Sequence, residues 1–178
     1  VVRVSRTSAV LVAAALAACA AEGADAVAVE LVRSAQLAEH GVGSIRRALA
    51  EHQLGSRGFG EGVRAVEQAT RELAALETDD RATDAQRLQA LVLQARAWDD
   101  TASAIDAAAE PDGGASLPAR AEALRDKSFP ARIAARNGFE RALRAACAGG
   151  ADPIVVPELL DGIARNGGPT LAADQACR

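Results

Sequence analysis

The sequence predicts an all-α protein: an antiparallel helical bundle of four main helices with short helices towards its C-terminal end. Three observations lead there. The 178 residues include 45 Ala, no Tyr and only three Phe, and runs of β-branched or aromatic residues that would build strands are scarce. Apolar residues recur at alternating steps of three and four over long stretches, the spacing of one helix face. Gly- and Pro-rich breaks separate those stretches. The length suits one domain with a substantial core.

The first helix is expected over residues 25–54. Leu31, Ala35, Ala38, Val42, Ile45 and Leu49 form a seam for a partner helix. Gly41 and Gly43 interrupt it, either as a kink or as the end of one helix at His40 and the start of another capped by Ser44. Residues 55–62 (GSRGFGEG) hold four Gly and read as the clearest turn. A second helix over 61–77 would bury Val63, Val66, Thr70 and Leu73.

Thr83 and Gln86 then form a capping box for the third helix. There Leu88, Leu91, Ala95, Trp98, Ala102, Ile105 and Ala109 repeat without fault, so Leu88 to Ile105 are taken as structural core. Trp98, the only Trp, is expected at the centre of the bundle. The run Glu110-Pro111-Asp112-Gly113-Gly114 ends this element.

A shorter helix from Ser116 to about Lys127 follows. Another is expected to start near Pro130, reach Cys147 and stop at Gly149-Gly150. The tail reads as a short extended piece, 153–157, and a small helix over 158–165.

The N-terminal segment carries a different signal. Residues 1–8 hold Arg3 and Arg6 and no acid, and residues 9–18 read AVLVAAALAA. A spanning helix needs about 20 apolar residues, whereas the apolar region of an export signal has about 7–15. Leu16-Ala17-Ala18-Cys19 follows, and L-A-A-C in that position resembles the lipobox of bacterial lipoproteins. The resemblance covers only the first 19 or so residues. It implies cleavage before Cys19, a lipid on the Cys19 thiol and attachment to a membrane. Residues 1–18 are then signal, 19–24 the lipidated Cys and a short linker, and 25–178 the helical domain. Ala20 after the Cys implies the outer membrane in a Gram-negative envelope. Ala18-Cys19-Ala20 also fits an ordinary secretory site, which would leave the protein periplasmic or secreted. A third reading is a buried apolar helix with Cys19 as a small core residue.

With Cys19 used for lipid, Cys147 and Cys177 remain, an even pair that reads as one disulfide in an oxidising compartment. Two buried free thiols are the competing reading. The pair has neither the C-x-x-C spacing of a redox centre nor the ligand spacing of a zinc site.

The formal net charge is −4, or −6 without Arg3 and Arg6. No basic, aromatic-interleaved patch marks a nucleic-acid partner. Residues 61–112 carry −7 and residues 117–148 carry +4, which places a basic late helix beside acidic earlier ones. A basic face for an anionic partner is less consistent with the residues, because Arg132, Arg136, Arg141 and Arg144 spread over half the helix circumference.

His40 and His52, about 120° apart on one straight helix, read as surface residues rather than a metal pair. Asp79-Asp80 and Asp99-Asp100 are candidate acid–base carboxylates. The first pair sits beside a helix start and the second reads as a solvated flank. The sequence therefore assigns no catalytic residue, no metal and no cofactor. Three functional readings follow: a membrane-anchored, non-enzymatic interaction or scaffold module of the cell envelope; a periplasmic helical chaperone or stress sensor; an envelope enzyme or metal-binding protein.

Overall fold

The computed structural model describes residues 26–51, 56–109, 118–149, 155–172 and 176–177. The basic and apolar N-terminal segment, Cys19, His52, Gly55, the 110–114 break and Ser116 lie outside the described residues. Five helices pack on one another, and there is no strand among the described residues. They are α1 (Ala26–Ala50), α2 (Arg57–Leu76), α3 (Asp84–Ala109), α4 (Pro118–Ala148) and α5 (Val155–Arg165). None is long and apolar enough to cross a membrane.

α3 is the shared wall. On one side, Val27 and Leu31 from the start of α1 meet Leu73 and Leu76 from the end of α2, over Ala90 and Leu93 of α3. On another side, Leu91 and Ala95 of α3 meet Phe139 and Leu143 of α4 with Leu159 and Ile163 of α5. Towards the far end of α3, Ile105 and Ala109 join Ile45 and Leu49 of α1, Phe59 of α2 and Leu124 of α4. Two rows on α3 are therefore buried, Ala90–Gln94–Ala97–Thr101–Ala104 and Leu91–Ala95–Ala102–Ile105. They are offset by one residue, about 100° around the axis.

That double burial corrects the expectation for Trp98. Leu91, Ala95, Ala102 and Ile105 are buried, but Leu88 and Trp98 are only partly so. The centre is filled by small side chains from both rows. The indole is displaced to the edge, where it packs against both neighbouring clusters.

α1 runs unbroken through Gly41 and Gly43. Gly41 faces Gly62 of α2: a Cβ on either would lie 2.7 Å from the other's carbonyl oxygen. The two backbones meet where neither has a side chain, and this contact holds a helix that its glycines alone would weaken by about 0.5–1 kcal/mol each.

The Gly-rich segment is not the turn the sequence implies. α2 begins at Arg57, with Gly58, Gly60 and Gly62 inside it. Ser56 caps it, its hydroxyl accepting from the Phe59 amide at 3.2 Å. Burial of Phe59 and the seating of Gly62 on α1 outweigh the low helix propensity of this stretch.

The capping box of α3 is present. The Gln86 amide donates to Thr83 Oγ1 at 3.2 Å, and the Thr83 amide to Gln86 Oε1 at 2.8 Å.

α4 is one helix of 31 residues, not two, and Pro130 lies inside it. Leu124, Ser128, Ala131, Ala135, Phe139, Ala142 and Ala146 step by four or three and are all buried. The stripe crosses Pro130 without a change of phase. Burial along it offsets the roughly 3 kcal/mol that an interior proline costs. α5 starts at Val155, so residues 155–157 are helical rather than extended. The first-turn amides of a helix have no intrahelical partner, which makes Pro157 tolerable there. α5 ends in a left-handed turn at Gly167 (φ 80°), with the Gly168 amide donating to Ile163 O at 2.9 Å and the Gly167 amide to Ala164 O at 3.1 Å.

Candidate functional site

A concavity lies where α4, α5 and the C-terminal tail meet. It is a cleft of about 380 Å³. Leu143 of α4 and Ile163 of α5 make its floor, and Glu140 and Arg144 of α4 stand at its rim. Leu171 and the Cys147–Cys177 pair close the remaining side. The floor exists because Gly162 lets α5 settle directly on the Phe139 ring. The rim is polar because Glu140 and Arg144, four apart, share one exposed face of α4.

Cys147 and Cys177 are joined, with their Cα atoms 5.4 Å apart, inside the usual range for a disulfide. Cys147 is half-buried at the end of α4 and Cys177 is exposed. Unreduced mass mapping should return the crosslinked Cys147–Cys177 peptide pair. Two alkylatable thiols at these positions in folded, oxidised protein would contradict it.

The lining of this cleft can hold an apolar body with a polar end. It brings together no nucleophile and base, since its cysteines are bonded and its ionisable groups are one carboxylate and one guanidinium.

The carboxylate pairs proposed from the sequence are placed elsewhere. Asp79 accepts from the Arg81 backbone amide at 2.8 Å and from Arg81 Nε at 3.0 Å. The Arg81 side chain, then its amide, holds the Asp79 carboxyl down at about 2, far from a general base poised near neutrality. Asp80 is exposed. Asp99 is not a solvated flank: it accepts from Arg165 Nη2 at 2.8 Å and from Asn166 Nδ2 at 2.8 Å. The last turn of α5 docks there, a long-range contact with no local sequence signal. Asp100 remains exposed on the neighbouring face. Although the residue is exposed, partial desolvation of its carboxyl group raises its pKa, and Arg46 opposes the shift. His40 is exposed, and the described residues contain no group of three or more His, Cys, Asp or Glu that could hold a metal ion.

The charge asymmetry becomes contacts between helices. Arg141 of α4 pairs with Glu77, which also accepts from the buried Gln94 at 2.6 Å. Arg132 pairs with Asp106 and donates to Arg165 O at 3.0 Å. Arg96 of α3 donates to Glu158 of α5 at 2.8 Å. These pairs are partly exposed, so each adds little stability alone, but they fix which faces of α3, α4 and α5 meet. The arginines of α4 that fulfil this role are thereby engaged within the fold.

No family model, curated protein or solved structure matches this chain.

Proposed function

We propose that the chain is an exported, lipid-anchored module of the bacterial cell envelope, held at a membrane through Cys19 and acting by interaction or scaffolding rather than catalysis. The observation that carries this reading is L-A-A-C directly behind a basic segment and a ten-residue apolar run. The Cys147–Cys177 bond supports it, because such bonds persist in oxidising compartments. The four long helices are read as an antiparallel bundle, with α5 laid across α3 and α4. A scaffold suits this architecture: small residues let the helices approach closely, and charge pairs fix their faces.

If two or more acyl chains sit on Cys19, attachment is stable, since one chain alone binds a bilayer only marginally. The linker of residues 20–24 reaches roughly 20 Å when extended, so the helical domain would stay close to its membrane. Fractionation of cells expressing the full chain tests the anchor. The wild type should partition with membranes and into detergent, whereas Cys19→Ser should lose that partitioning or remain uncleaved. A Cys19→Ser chain processed and membrane-bound like wild type would overturn the proposal.

A further inference from the structure

We propose that the cleft between α4 and α5 binds a single-chain aliphatic carboxylate, its chain lying on Leu143 and Ile163 and its headgroup on Arg144. The cleft's volume, about 380 Å³, falls in the range of about 300–1,000 Å³ typical of small-molecule sites. Its apolar lining is aliphatic: Leu143 and Ile163 are joined by Pro169, Leu171 and Ala176, with no aromatic ring, hydroxyl or amide side chain among the lining residues. Such side chains suit methylene groups and offer no partner to the hydrogen-bonding groups of a sugar or a nucleobase. The floor is set by core packing, because Gly162 seats α5 on the Phe139 ring. A chain entering the cleft therefore meets a preformed surface, which lowers the cost of ordering on binding.

Charge selects the headgroup. Glu140 has an arginine four residues away on either side, Arg136 and Arg144, and both share its face of α4. It pairs with Arg136, at 3.8 Å. Arg132 and Arg141 pair with Asp106 and Glu77. Arg144 is exposed on the rim of the cleft, and no carboxylate among the described residues pairs with it. A guanidinium fork matches a carboxylate through two parallel N–H···O bonds. Glu140 stands on the same rim and opposes a second negative charge, which favours a carboxylate over a phosphate monoester.

This site does not rest on the lipid anchor, and its test uses the full chain carrying Cys19→Ser, which has no acyl chain of its own to compete. The probes are decanoate, decan-1-ol and decyl phosphate, followed by methyl NMR and calorimetry. Decanoate should shift the Leu143 and Ile163 methyl signals and leave those of Val27, Leu31 and Leu73, on the other side of α3, in place. Arg144→Gln should weaken decanoate binding about tenfold, the loss of one charge-assisted contact, and leave decan-1-ol binding unchanged. Decyl phosphate should bind more weakly than decanoate, and Glu140→Gln should narrow that gap. Unmoved Leu143 and Ile163 signals would overturn the site, as would shifts spread equally to Val27, Leu31 and Leu73, the mark of non-specific adsorption. Equal decanoate affinity in Arg144→Gln would overturn the role of Arg144. Tighter binding of decyl phosphate than of decanoate would overturn the choice of a carboxylate.

Discussion

Phe139→Ala should lower the stability of the protein by about 3–5 kcal/mol, the range for truncating a buried aromatic side chain. That is a large share of the 5–15 kcal/mol typical of a domain. Phe139 is the largest fully buried side chain among the described residues, 1 % exposed, and it joins α4 to both α3 and α5. Its ring lies against Gly162, where an added Cβ would come within 2.6–2.7 Å of three ring carbons. A ring is rigid, so Gly162→Ala forces α5 outwards. Overpacking of this kind costs about 1–3 kcal/mol, more than the roughly 1 kcal/mol gained by replacing a helical Gly with Ala. The two changes are therefore coupled. With Phe139 cut back to Ala, the obstruction is gone and Gly162→Ala should be neutral or stabilising. Urea denaturation of the two single variants and the double variant measures the coupling directly. Additive losses would mean that the ring and the glycine do not share the contact.

This pair also shows where the sequence was informative and where it was not. Apolar spacing and the Thr83–Gln86 cap located α3 to within a residue at its start, because both signals are local. The join of two segments into α4 was obscured by Pro130, whose local penalty is visible in the sequence while the stripe from Leu124 to Ala146 shows its value only against partners. The Gly-rich start of α2 misled for the same reason: glycine signals a turn locally, yet Gly62 serves a contact with a residue 21 positions earlier. Trp98 was displaced because one periodic row on α3 was legible and the second, offset row of Ala, Gln and Thr was not. At the candidate site, the pairing of Cys147 with Cys177 was legible by counting only on the expectation that Cys19 carries a lipid, which leaves two of the three cysteines. The cleft beside it was not legible, because Leu143, Ile163 and Leu171 come from three elements and acquire a common surface only in the fold.

Gly41 and Gly43 are two residues apart on one helix and should respond to alanine with opposite signs. At Gly43 an added Cβ meets nothing within 4 Å. Gly43→Ala should therefore raise stability by about 0.5–1 kcal/mol, through reduced backbone freedom in the unfolded chain and better helix propensity. At Gly41 the same methyl would lie 2.7 Å from Gly62 O and 3.0 Å from the Val66 backbone nitrogen. Backbone atoms cannot rotate aside as a side chain end does, so α1 and α2 must move apart along the seam that buries Val42, Ile45 and Val66. Gly41→Ala should cost about 1–3 kcal/mol on the scale of overpacked cores, and Gly62→Ala should cost a similar amount. Once one methyl has parted the helices, the second meets a widened gap, so the double variant should lose less than the two single losses together. Thermal and urea midpoints for Gly41→Ala, Gly43→Ala, Gly62→Ala and the Gly41→Ala/Gly62→Ala pair decide the matter. Equal and small effects at positions 41 and 43 would mean that the α1–α2 crossing does not depend on the two glycines. A loss at 41 with a gain at 43 would fix the face by which α1 meets α2.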